Sequence, residues 1–174
     1  MAASVLMLVV CGAAGWLARG PMVEPSETNG IAALAREAAD TFDVYGVDRS
    51  HPVEFGASDQ AQLVSWIASR IGRTVSVPDL TASGYAFMGG RLVVTPHGPA
   101  GLLMYGDGQG ERLVMLVRPM AIDKDAGMSE HSYGNIHGFA WANKGTGFSL
   151  VGPAPADLLH SIADEVRRQE GNTI

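Results

Sequence analysis

A chain of 174 residues with 47% hydrophobic and 17% charged side chains is too apolar for a disordered tail, and it has room for one domain plus an appendage. The formal charge of −6, from 12 Lys and Arg against 18 Asp and Glu, comes with no basic run beyond Arg167-Arg168, which excludes the electrostatic footprint of a nucleic-acid binder. The single cysteine, Cys11, excludes an internal disulfide and a zinc site built on cysteine pairs.

From Ala2 to Ala18 (AASVLMLVVCGAAGWLA) no residue is charged. A helix of that length covers about 26 Å, just enough to span a bilayer. The rival reading is a cleaved signal ending at Gly12-Ala13-Ala14, but the Lys/Arg start of such a signal is missing. Val10 argues against lipoprotein processing at Cys11. We therefore expect residues 1–19 to be a single-pass anchor in a bacterial inner membrane, with the remainder in the periplasm. Arg19 taken alone favours the opposite orientation, whereas the acidic stretch Glu24 to Asp48 offers no resistance to translocation. Gly12 and Gly15 place small residues where another membrane helix can approach, although small residues are common in such helices anyway.

Pro21 and Pro25 separate the anchor from a second helical pattern, Ser26 to Tyr45, within a juxtamembrane stalk spanning 20–48. Ile31, Leu34, Ala35, Ala38, Phe42 and Tyr45 form one apolar stripe, expected to pack on the chain's own domain, and Asn29 or Thr28 is placed to cap it. Residues 49–174 then read as one α+β domain. Val44 to Phe55 suggests an extended edge segment around His51-Pro52. A helix follows from Ser58 or Asp59, with Leu63, Trp66, Ile67 and Ile71 on its core side and Gly72 closing it.

The period then changes. Tyr85 and Phe87, then Leu92 and Val94, flank Gly89-Gly90, which marks a bulge or tight hairpin. Leu102 to Tyr105 and Leu113 to Val117 flank Asp107-Gly108-Gln109-Gly110, a hairpin whose second arm is apolar on both faces and so should be central. Met120 to Gly134 is polar and contains glycine, and reads as a mobile surface loop. A last hairpin, Ile136 to Trp141 and Phe148 to Val151, precedes a helix from Pro155 to Arg168 with Leu158, Leu159, Ile162, Ala163 and Val166 on one face. The order predicts an antiparallel sheet of about five or six strands with helices packed on it.

Chemistry-bearing patterns are few. There is no Gly-x-Ser-x-Gly elbow, no cysteine beyond Cys11, and no dinucleotide or phosphate loop, so the chain reads as a non-enzyme without a cofactor. Met128, His131 and His137 combine thioether and imidazole groups that copper accepts, but their spacing predicts no metal site. Met104, Met115 and Met120 read as core fillers, and His51, His97 and His160 as isolated surface or hydrogen-bonded residues. His137, Phe139 and Trp141 share one strand face, which either lines a groove for a partner or ligand or packs under the final helix. As partner- or ligand-contacting candidates we take His137, Phe139, Trp141, Met128 and His131, with the stalk relaying to the membrane.

Five strings, RSHPVEF, QLVSWIASRIG, VPDLTASGYAFMGGRLV, AGLLMYGDGQGERLVMLVRP and GFAWANKGTGFSLVG, occur in this order between Arg49 and Gly152. They resemble the periplasmic region of transmembrane anti-sigma factors of proteobacteria, over most of the chain from about Arg36 to Arg168. The resemblance implies an inner-membrane regulator that holds an extracytoplasmic-function sigma factor until a stress outside is sensed. The family's cytoplasmic zinc-type domain, with its His-x3-Cys-x2-Cys motif, is not among these 174 residues. Two expectations follow for the partner: a sigma factor where such a domain precedes this chain, or otherwise an integral membrane complex that the chain serves as an accessory subunit. No nucleic acid is expected to bind.

Overall fold

A computed structural model of the chain describes residues 29–171. The anchor expected at 1–19, with Gly12 and Gly15, lies outside them, and no described helix is long and apolar enough to cross a membrane. The described chain is α+β, with seven strands in one antiparallel sheet. In chain order the elements are α1 (Gly30–Thr41) running into a wider helical turn at Phe42–Gly46, β1 (Phe55–Gly56), α2 (Gln60–Ile71), β2 (Ala86–Thr95), β3 (Gly98–Gly106), β4 (Arg112–Pro119), β5 (Ala126–Tyr133), β6 (Ile136–Asn143), β7 (Thr146–Gly152) and α3 (Ala156–Gly171). Across the sheet the strands lie β1-β2-β3-β4-β7-β6-β5.

β4 is central, as its two-faced apolar sequence requires. Leu113, Met115 and Val117 join one core with Leu63, Ile67, Leu159 and Ile162, while Val114 and Leu116 join a second with Leu34, Ala38 and Phe42. Strand alternation thus serves two layers, with α2 and α3 on one face and α1 on the other. Two glycines set how closely the helices approach. A Cβ on Gly101 would lie 2.6 Å from Ile67 Cγ2 of α2, and one on Gly147 would lie 2.8 Å from Leu34 Cδ2 of α1.

Several expectations hold, and others need correction. Gly72 ends α2 at φ 66°, in the left-handed region. Asp107 Oδ1 accepts N–H bonds from Gln109, Gly110 and Glu111 and fixes the predicted β3–β4 turn. Gly89 lies at a bulge inside a continuous β2. The apolar stripe of α1 packs on the chain's own domain, as expected, with Leu34, Ala38 and Phe42 in the core. Its first turn is capped from afar: Asp123 Oδ2 accepts the Ile31 N–H at 3.1 Å. Of the segment expected to be extended from Val44 to Phe55, Val44 to Gly46 is helical instead, and sheet pairing is confined to Phe55 and Gly56, with the Glu54 N–H donating to the Gly90 carbonyl at 3.0 Å. Leu158, placed on the buried face of the last helix by its spacing, is 39% exposed.

The largest correction is at Met120 to Gly134. Ala126–Tyr133 is a strand, paired with β6 from Ala126↔Ala142 to Tyr133↔Ile136, with a register shift between Ala126 and Ser129. As the outermost strand it has one neighbour and two partly exposed faces, so its sequence needs no apolar alternation.

Candidate functional site

The two faces of the sheet are covered unequally. α2 packs on β2 and β3 and α3 on β6 and β7, whereas α1 lies over β4, β7, β6 and β5. The α1 side of β2 is covered only in part: Val93 packs with Leu34, Ala38 and Phe42, and Tyr45 of the helical turn lies over Arg91. There a groove of about 470 Å³ opens between α1 and the end of β2. Its helix wall is the stripe Ala33, Arg36, Glu37, Asp40, Thr41 and Val44, and its strand wall runs from Val93 to His97. Val44, 59% exposed, stands at the mouth. Tyr45 is held there by the Arg91 guanidinium, 3.9 Å from its ring centroid.

A buried charge network closes one end of this groove. Glu37 projects from α1 and is 7% exposed, and Arg118 on β4 is 2% exposed. Arg118 Nε donates to Glu37 Oε2 at 2.6 Å, and His97 Nδ1 lies 2.5 Å from Glu37 Oε1. Arg118 Nη1 donates to the Pro119 carbonyl at 3.1 Å, while Nη2 has no partner among the described residues. His97 is positioned by the β2–β3 turn, where its N–H donates to Thr95 Oγ1 and that hydroxyl donates to the Gly98 carbonyl. Beyond the network lies a second cleft of about 290 Å³, bordered by Gly30, His97, Arg118 and Met120. Both oxygens of Glu37 are engaged, so the carboxylate locks α1 to the sheet and partitions the two cavities.

The sequence-level candidates do not converge on one point. Register places His137 with Phe139 and Trp141 on the α2/α3 face, where Met128 also packs against the core. His131 pairs with Gly138 and falls on the α1 face, so Met128, His131 and His137 cannot share one ion. Among the described residues no group of three or more His, Cys, Asp and Glu is arranged to hold a metal. Phe139 and Trp141 are 5% and 3% exposed and form core under α3, with Trp141 stacked on Phe148 at 5.6 Å between centroids. His137 Nδ1 lies 3.0 Å from Ser132 Oγ, and His131 Nε2 lies 2.9 Å from Ser129 Oγ.

Trp141 also borders a cavity of about 520 Å³ with Asp125, Phe148, Arg167 and Glu170. Burial raises the Glu170 pKa above the usual carboxylate range, partly offset by a hydrogen bond from Ser76. The folded state thus holds that proton more tightly than the unfolded chain. Glu170 costs stability progressively as pH rises through and above its ordinary value of 4.5. Glu170→Gln is expected to melt above the wild type near neutral pH and to match it at about pH 4, as read by thermal denaturation across pH.

Sequence reasoning passed over Glu37, His97 and Arg118 as a set. The signal was there: Arg118 continues the phase of Val114 and Leu116, and Glu37 lies three residues from Leu34 on the same helix face. Charges in core phase on two elements require a partner.

No protein-family model matches the chain, and no curated protein matches it either. Among solved structures, a complex of Pseudomonas aeruginosa MucA/MucB is similar at a TM-score of 0.41 and 19% identity, over 52% of this chain and 35% of that one. Likeness at that level assigns no residue a role.

Proposed function

We propose that the chain is a membrane-anchored, non-enzymatic regulator of the anti-sigma type, whose periplasmic domain seats an apolar segment of a partner protein in the groove between α1 and β2. The observation that carries this reading is the placement of the groove. One wall is α1, the first described element after the apolar run Ala2 to Ala18, so with that run in the bilayer a partner seated beside Val44 would bear on the helix that follows it. The walls are mostly apolar, with Arg36 and Asp40 paired at 3.0 Å on the rim, as in protein-binding grooves that combine an apolar centre with a polar edge. The resemblance of the five strings supplies the regulatory class.

The test is made in the source bacterium. Deleting the gene region for this chain should change output from an extracytoplasmic-function sigma-dependent promoter by several fold, and Val44→Asp should reproduce that change with the protein still folded and present in membranes. An alkaline phosphatase fused after Ile174 should be active, reporting an outside C-terminus. Unchanged promoter output, with the chain retained in an integral membrane complex, would replace this reading with that of an accessory subunit.

A further inference from the structure

We propose that the outer edge of β5 is a second docking surface, which adds an extended, lysine- or arginine-bearing segment of a partner protein as an eighth strand. β5 ends the sheet with β6 as its one neighbour. The two-residue turn Gly134-Asn135 makes Tyr133↔Ile136 a hydrogen-bonded pair, and the alternation carries through His131↔Gly138. Glu130 and Ser132 therefore turn their backbone N–H and C=O groups away from the sheet. The register shift lies between Ala126 and Ser129, so the stretch from Ser129 to Tyr133 stays regular enough to template another strand.

Charge selects the occupant. Glu130 is exposed on the α2/α3 face of this edge. On the α1 face, Asp40 and Asp43 border a cleft of about 460 Å³ together with Ser132 and Tyr133. The one cation lining that cleft, Arg36, is already paired with Asp40 and stacked over the Tyr133 ring at 5.1 Å. An added strand sends alternate side chains to each face, so basic residues at successive positions meet Glu130 on one side and Asp43 on the other. A second copy of this chain does not meet that requirement, because its β5 carries no lysine or arginine, and antiparallel self-pairing centred on Glu130 sets two carboxylates opposite each other. This surface adjoins the α1–β2 groove at Arg36 and Asp40, which border both, but the strand edge itself lies outside the groove and neither proposal depends on the other.

The experiment uses the full chain in detergent micelles and a labelled peptide carrying adjacent lysine pairs between threonine and valine residues, which presents a lysine to each face, with binding read by fluorescence anisotropy and amide exchange. We expect saturable binding that weakens as salt is raised, slowed exchange at the Glu130 and Ser132 amides, and affinity lower by about tenfold for Glu130→Lys. The same peptide N-methylated at alternate residues, or with glutamate replacing lysine, should not bind. Absence of binding, equal binding by Glu130→Lys, binding of the N-methylated peptide, or unchanged exchange at Glu130 and Ser132 would each overturn the proposal. So would a concentration-dependent dimer that protects those same amides.

Discussion

Glu37→Gln is expected to cost about 3–5 kcal/mol of stability, because it removes the counter-charge of an arginine that stays buried. Arg118 is 2% exposed, its Nη2 already lacks a partner among the described residues, and its strongest bond runs to Glu37 at 2.6 Å. In a domain of this size the loss corresponds to a melting point lower by roughly 10 °C or more. The double variant Glu37→Leu with Arg118→Met should recover most of that loss, since replacing both charges spares the desolvation of each. A double-mutant cycle by thermal or urea denaturation checks this. If Glu37→Gln melted within a degree or two of the wild type, the network would carry no structural weight.

Trp141→Ala is the second large effect, again about 3–5 kcal/mol, from lost burial and the cavity left between β6 and α3. The ring is 3% exposed and stacks on Phe148, so Trp141→Phe should cost markedly less. His137→Ala, at the partly exposed end of the same strand face, should stay within about 0.5 kcal/mol of the wild type. Urea denaturation of the three variants gives the ordering. Equal stability for Trp141→Ala and the wild type would restore the view of that face as an open groove.

The contrast between Trp141 and Glu37 shows what the chain reveals before it is folded. Elements whose role is local and apolar are legible. The five-residue run Leu113 to Val117 announces a strand covered on both sides, Gly72 announces a helix stop, and Asp107 with its glycines announces a turn. β5 was hidden because a strand with a single neighbour has no need to alternate apolar and polar residues, and AGMSEHSY does not. The groove was hidden for another reason. It arises from incomplete helical cover over one end of the sheet, which no local pattern encodes, and from a contact between Glu37 and Arg118 that spans 81 positions. Reading phase rather than composition would have exposed both charges, although not their pairing.

The strand order has a consequence for how the molecule comes together. β2, β3 and β4 form one run of sequential hairpin pairings and β5, β6 and β7 another, and the two meet only where β4 lies against β7, from Val114↔Val151 to Pro119↔Thr146. Each trio can zip from its own turns with short loop closures, but the joint needs chain segments far apart in sequence. The joint between the two trios is thus a six-rung suture, and α1 lies across it like a splint, with Leu34 against Gly147 and Glu37 bound to Arg118. A pull or push on α1 is therefore delivered to the line where the two trios are sewn together.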